Sequence, residues 1–272
     1  MQLEMISRAP AGAAKATPLL FIHGAYSAAW IWDQHFLPYF ADLGYPAHAV
    51  SLRGHGKSEG RDGLLFARLR DYVADVEQAI ATLPSAPILI GHSLGGMIVQ
   101  KLMHQRSLPA AVLMASAPPH GMIPSMFGMA FTNPGLFREM ALVQTFGPEI
   151  VNGLNVRQAL FCDDTPDEDV TRYMHRFQPE STLVVLDLMG LDLPPSIPTL
   201  DIPVLVIGAE NDCFVFPGAV HATADTYQTR AEIFPGMAHA MMLDHNWRRV
   251  ADHIAAWLET TAAAGQGTNA AA

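Results

Sequence analysis

This sequence predicts an α/β fold: a mostly parallel central sheet flanked by helices, with a helical cap inserted between core strands. Three observations lead there. Short, continuous apolar runs recur along the chain, as parallel strands covered on both faces require. Amphipathic stretches of helical period lie between them, and that alternation generates a parallel sheet. The rhythm then stops from residue 118 to residue 199, where Met, Phe, Pro and Gly crowd together and no buried strand can be read.

In chain order, Leu19-Leu20-Phe21-Ile22 reads as the first buried strand and His48-Ala49-Val50-Ser51-Leu52 as the next. Tyr72, Val76, Ala79, Ile80 and Leu83 then share one helical face. Ile88-Leu89-Ile90 forms a third strand, followed by a helix-like stretch from Met97 to Met103, and Ala111-Val112-Leu113-Met114 a fourth. After the interruption come Val204-Leu205-Val206-Ile207 and Ala231-Glu232-Ile233-Phe234. Val250, Ile254, Trp257 and Leu258 complete a last amphipathic helix with Asn246 as its N-cap. The expected organisation is one discontinuous core (1–117 and 200–259), a helical cap (118–199) over the active face, and a disordered Ala-, Gly- and Thr-rich tail (260–272). There is no internal repeat.

Composition narrows the function. Half of the 272 residues are hydrophobic, enough for a large core. The net charge of −10 argues against nucleic-acid or anionic-membrane partners. No apolar run reaches transmembrane length and the first residues lack a signal-peptide pattern, so a cytoplasmic protein without integral membrane association is expected. Cys162 and Cys213 suggest no disulfide framework. The twelve histidines form no cluster with metal spacing, and no phosphate-binding glycine motif opens a helix, so neither metal nor organic cofactor is expected.

Gly91-His92-Ser93-Leu94-Gly95 carries most of the chemical information. It lies between a strand and a helix, and glycines two residues either side of Ser93 leave room for a sharp, strained turn that lifts the serine hydroxyl above the sheet. Alone, such a pentapeptide could equally be a turn whose serine caps a helix. The rest of the chain supplies what a nucleophile needs. A serine requires a base, and the base an orienting acid. Asp212 follows the strand ending at Ile207, and His239 lies in a loop beyond the last strand, giving the order Ser, Asp, His. Two backbone donors must also face the developing oxyanion: Leu94 N–H supplies one, and Ala25 N–H, in His23-Gly24-Ala25-Tyr26, the other. His92 is read as a support of the turn.

These residues, with Arg53-Gly54-His55-Gly56-Lys57-Ser58 and Gly96, resemble the α/β-hydrolase superfamily, and most of all its lysophospholipase, monoacylglycerol lipase and esterase branch. The likeness covers roughly residues 15–117 and 200–259. It implies an eight-stranded sheet, although the early antiparallel strands look short or missing before Leu19. Ser51 stands where many relatives carry Asp, a position of loop structure.

The expected function is serine-dependent cleavage of a carboxylic ester through an acyl-enzyme. Tyr26, Trp30, Met126 and Phe127 are candidates for an apolar acyl pocket, because Met and aromatic side chains fill irregular apolar space; they could equally seal the cap onto the core. Hydroxynitrile-lyase-like or acyltransferase chemistry on the same triad, and a hydrolase-like small-molecule binding protein with little turnover, remain open. So does the choice between monomer and homodimer.

Overall fold

Seven strands pair side by side in the computed structural model, which describes residues 1–148, 154–195 and 202–269. They are β1 (Met5–Arg8), β2 (Leu19–Ile22), β3 (Ala47–Val50), β4 (Ile88–His92), β5 (Ala111–Met114), β6 (Val204–Ala209) and β7 (Ala231–Phe234). Their order across the sheet is β1-β3-β2-β4-β5-β6-β7; β1 runs antiparallel to β3 and the other pairs are parallel. Every apolar run read as a strand is one. The addition is β1, an edge strand whose half-exposed Met5-Ile6-Ser7-Arg8 gives no buried apolar run to read.

Strand side chains alternate between faces, so the sheet divides its residues between two cores. On one face Leu19, Phe21, Val112 and Met114 meet α1 (Trp30–Asp33), α2 (Phe36–Asp42) and α11 (Trp247–Asn269). On the other, Leu20, Ile22, Ala111 and Leu113 meet α3 (Leu69–Ala81), α4 (Leu94–Gln105) and α10 (Pro217–Thr226). A strand buried on both sides can present functional groups only at its end, which is why the site lies at the C-terminal ends of the parallel strands.

Between β5 and β6 the chain leaves the sheet. Helices α5 (Ile123–Thr132), α6 (Pro134–Phe146), α7 (Leu154–Leu160), α8 (Asp167–Met174) and α9 (Thr182–Leu186) follow one another, and a π-helical turn, Asp187–Leu191, closes the excursion. Asn133 caps α6 by accepting from Leu136 N–H at 3.0 Å. A separate small cluster of Met129, Leu136, Val156 and Ala159 joins α5, α6 and α7, whereas Val170 and Tyr173 of α8 and Val184 of α9 belong to the two cores of the sheet. Arg68, at the start of α3, pairs with the buried Asp187, tying the returning chain to the core.

The last helix continues to Asn269, past Glu259, where composition suggests disorder. Ala262, Ala263 and Ala264 have the helix propensity to extend it, and residues 270–272 lie outside the described residues. Among the described residues no helix is long and apolar enough to cross a membrane.

Candidate active site

Ser93 sits between the end of β4 and the first turn of α4 with φ 54° and ψ −117°. A non-glycine residue holds that conformation only when its surroundings fix it. Here Ser93 N–H donates to the Met114 carbonyl at 3.1 Å, and the Ser93 carbonyl accepts from Gly96 and Ala117 N–H, each at 3.0 Å. The flanking glycines are required for space. A Cβ on Gly91 would lie 2.6 Å from the Gly95 carbonyl carbon, and one on Gly95 2.6 Å from the His23 carbonyl oxygen.

The loops after β6 and β7 bring the other two residues together. Glu210 N–H donates to the Phe234 carbonyl and Asn211 N–H to that of Met237, so the two loops are joined through their backbones. Asp212, almost fully buried, accepts from Phe214 and Val215 N–H through Oδ1, each at 2.8 Å. Its Oδ2 lies 2.7 Å from His239 Nδ1. Acceptance on both oxygens is the pattern of a carboxylate, and it assigns the Nδ1 hydrogen to His239, leaving Nε2 free to take a proton. Phe214 covers the imidazole, its ring centroid 5.0 Å away. No hydrogen bond joins Ser93 Oγ to His239 in this structure; both residues are walls of one cavity.

His92 links the elbow to the base loop. Its Nε2 donates to the His239 carbonyl at 3.0 Å, while Nδ1 is buried without a partner. Burial, then the nearby His239 imidazole, holds its pKa well below the ordinary 6.5, so it stays neutral.

The loop after β2 crosses in front of Ser93. His23 Nε2 accepts from Leu52 N–H at 3.0 Å, which puts the ring hydrogen on Nδ1, and Nδ1 donates to the Gly24 carbonyl at 2.8 Å. Ser27 Oγ donates to the same carbonyl at 3.0 Å. In a trans peptide the carbonyl and the following N–H point in opposite directions, so this grip turns Ala25 N–H away from His23 and Ser27. A Cβ on Gly24 would lie 3.1 Å from Ser93 Cβ, which shows how closely the loop approaches the serine. Full burial, with His55 adding to it, lowers the His23 pKa to about 3.

A cavity of about 320 Å³ opens in front of Ser93 and His239, floored by the sheet core and roofed by helices of the segment between β5 and β6. Seven methionines line it, among them Met126, Met140 and Met242, along with Phe137, Phe177 and Phe214. Among the described residues that line it, none is Lys, Arg, Asp or Glu. Ala25, Tyr26 and Met126 are among the lining residues. Leu94 and Asp212 stand behind the wall, at the start of α4 and behind His239. Trp30 and Phe127 do not reach the cavity. Trp30 is sandwiched between Tyr173 and the Arg176 guanidinium, and Phe127 faces outward from α5, 63% exposed. Sequence reasoning missed Gln144, whose side-chain oxygen accepts from the Tyr26 hydroxyl, and Glu180, which reaches the Tyr26 backbone. Neither lies in a recognisable pattern. The described residues contain no group of three or more His, Cys, Asp or Glu able to hold a metal.

This chain is 28% identical over 213 residues to a pyrethroid hydrolase of Sphingobium wenxiniae, covering 75% of this chain and 74% of that protein. It is 35% identical over 109 residues to esterase Rv0045c of Mycobacterium tuberculosis, covering 37% and 35% of the two chains. A thermophilic esterase from Thermogutta terrifontis superposes with a TM-score of 0.72 at 18% identity, over 95% of this chain and 93% of that one. The alpha/beta hydrolase family model matches residues 19–253, a span that contains the elbow, the acid loop and the base loop alike. On that match, and on the sheet that carries those loops, the chain belongs to the alpha/beta hydrolase family.

Proposed function

We propose that this protein hydrolyses carboxylic esters bearing a bulky or extended apolar group, through an acyl-enzyme on Ser93. The observation that carries the reading is the His239–Asp212 pair, 2.7 Å apart, opening into the same apolar cavity as the strained Ser93. Ser93 Oγ attacks the ester carbonyl as His239 Nε2 takes its proton, and Asp212 stabilises the imidazolium. Ala25 and Leu94 N–H receive the oxyanion, and neither is engaged by an acceptor among the described residues. The imidazolium returns its proton to the leaving alkoxide. The neutral imidazole then takes a proton from water as it attacks the acyl carbonyl, and returns that proton to Ser93 Oγ as the acid leaves. Similarity to a pyrethroid hydrolase and to esterases supports ester cleavage, and a lining without charged carboxylates or cations supports an uncharged substrate.

Turnover of p-nitrophenyl esters of increasing acyl length, by the parent and by Ser93→Ala, tests this. Serine-dependent hydrolysis with an optimum at medium or long chains is expected, and Ser93→Ala should lose on the order of 10⁴-fold or more in kcat. Hydrolysis that survives Ser93→Ala, or none by the folded parent on any ester, overturns the reading. A fluorophosphonate that failed to label Ser93 in such an inactive parent would point to a binding protein instead.

A further inference from the structure

The cap reaches into the oxyanion loop at Tyr26. This residue has φ 62°, a conformation a tyrosine keeps only under external constraint. The constraint comes from the segment that follows α8. Gln178 N–H donates to the Tyr26 carbonyl at 2.7 Å, and Tyr26 N–H points to Glu180 Oε2 at 3.4 Å. The two peptide planes either side of Ala25 are therefore held by different parts of the molecule. The core grips the Gly24–Ala25 plane through His23 and Ser27; the cap grips the Ala25–Tyr26 plane through Glu180. With both planes fixed, Ala25 has no freedom left in φ or ψ.

Glu180 is equipped to be an anchor. It is 3% exposed, and its Oε1 accepts from the Tyr72 hydroxyl at 2.5 Å and from Ser181 N–H at 2.7 Å. Its Oε2 also lies 3.4 Å from His55 Nε2. His55 Nδ1 is 3.0 Å from the Arg53 carbonyl, which can only accept, so Nδ1 carries its hydrogen. His55 Nε2 has no other partner. The contact sets Glu180, from the cap, against His55, in the Arg53-Gly54-His55-Gly56 loop of the core.

We propose that Glu180 is a positioning residue of the active site: by holding the Tyr26 backbone from the cap, it keeps Ala25 N–H aimed at the oxyanion formed on Ser93. This inference rests on the ester-hydrolase reading above. It makes the oxyanion hole a joint product of core and cap.

Glu180→Gln preserves volume and the acceptor facing Tyr72 and Ser181, but it turns an NH₂ toward Tyr26 N–H, placing donor against donor. On a p-nitrophenyl ester, kcat should fall about tenfold or more with KM within about twofold, because only transition-state binding is lost. Affinity for an apolar trifluoromethyl ketone, which forms a tetrahedral oxyanion on the serine, should fall in parallel. Competitive inhibition by the corresponding apolar alcohol should not change. Unchanged kcat in folded Glu180→Gln, or a rise in KM alone, overturns the inference. Tyr72→Phe, which removes only the hydroxyl bonded to Oε1, decides the matter if Glu180→Gln does not fold. A lower kcat at constant KM then supports the proposal and an unchanged kcat overturns it. Ser93→Ala measured alongside separates the two levels. If it abolishes turnover while both other variants behave as the parent, only the role of Glu180 fails. If it leaves turnover intact, the hydrolase reading fails and takes this inference with it.

Discussion

Asp212 spends one carboxylate oxygen on the backbone of its own loop and the other on His239. The two uses differ in consequence: the first fixes the acid, the second fixes which nitrogen of the imidazole carries hydrogen. Asp212→Asn should therefore fold normally while kcat on an activated ester falls about 10⁴-fold, because an amide NH₂ facing Nδ1 favours the wrong tautomer. Steady-state kinetics beside a thermal melt checks this, and a loss below about tenfold would argue against the assigned role. At this scale the candidate triad was legible because Ser93, Asp212 and His239 each follow a readable strand. Glu180 was not. It stands in Gln178-Pro179-Glu180-Ser181, which has no periodicity, and its partners Tyr26, His55 and Tyr72 lie more than a hundred residues away. Trp30 and Phe127 show the opposite error, since residue type marked them as lining a cavity that side-chain direction withholds from them. Ser51 is explained by a distant residue too: its hydroxyl donates to Glu4 Oε2 at 2.6 Å, so a carboxylate reaches that loop from the chain just before β1.

The elements depend on close backbone contact where β2, β4 and α4 converge. Gly95 is one of the tight points, since a Cβ there meets the backbone of Ile22 and His23 and no flexible side chain that could move aside. Gly95→Ala should destabilise the fold by about 3 kcal/mol, the upper end for overpacking, and displace the oxyanion loop as well. Urea unfolding reads the first effect and ester turnover the second; a variant within about 0.5 kcal/mol of the parent would contradict the packing argument. The buried parallel strands were legible because burial on both faces leaves an unbroken apolar run. β1 was not, since an edge strand with one neighbour needs no such run. The helical character of the segment between β5 and β6 could be read, but not how its described helices pack. Their own cluster is small, and much of their apolar surface faces the cavity or solvent.

Across the whole molecule, buried imidazoles set the response to acid. His23 and His92 are fully enclosed and both have depressed pKa values, that of His23 at about 3. Below pH 6.5 the unfolded chain protonates them and the folded chain does not, so stability is complete above that pH and falls as pH drops toward 3. His23 alone should cost about 3 kcal/mol at pH 4.5, two pH units below its unfolded value. Denaturant unfolding should report proton uptake that rises from about one near pH 6.5 toward two near pH 4.5, and uptake that stays well below one at pH 4.5 would refute the assignment. The division into two sheet cores and a separate cap cluster has a consequence of another kind. Met126 and Met140 pack against the cap's small cluster, whereas Ala240, Met242 and Leu243 belong to a core of the sheet. Inheritance can therefore act on the two walls at different rates: a change at Met126 or Met140 alters what the cavity admits while the two cores of the sheet go untouched, and a lineage can try new substrates without first losing its scaffold.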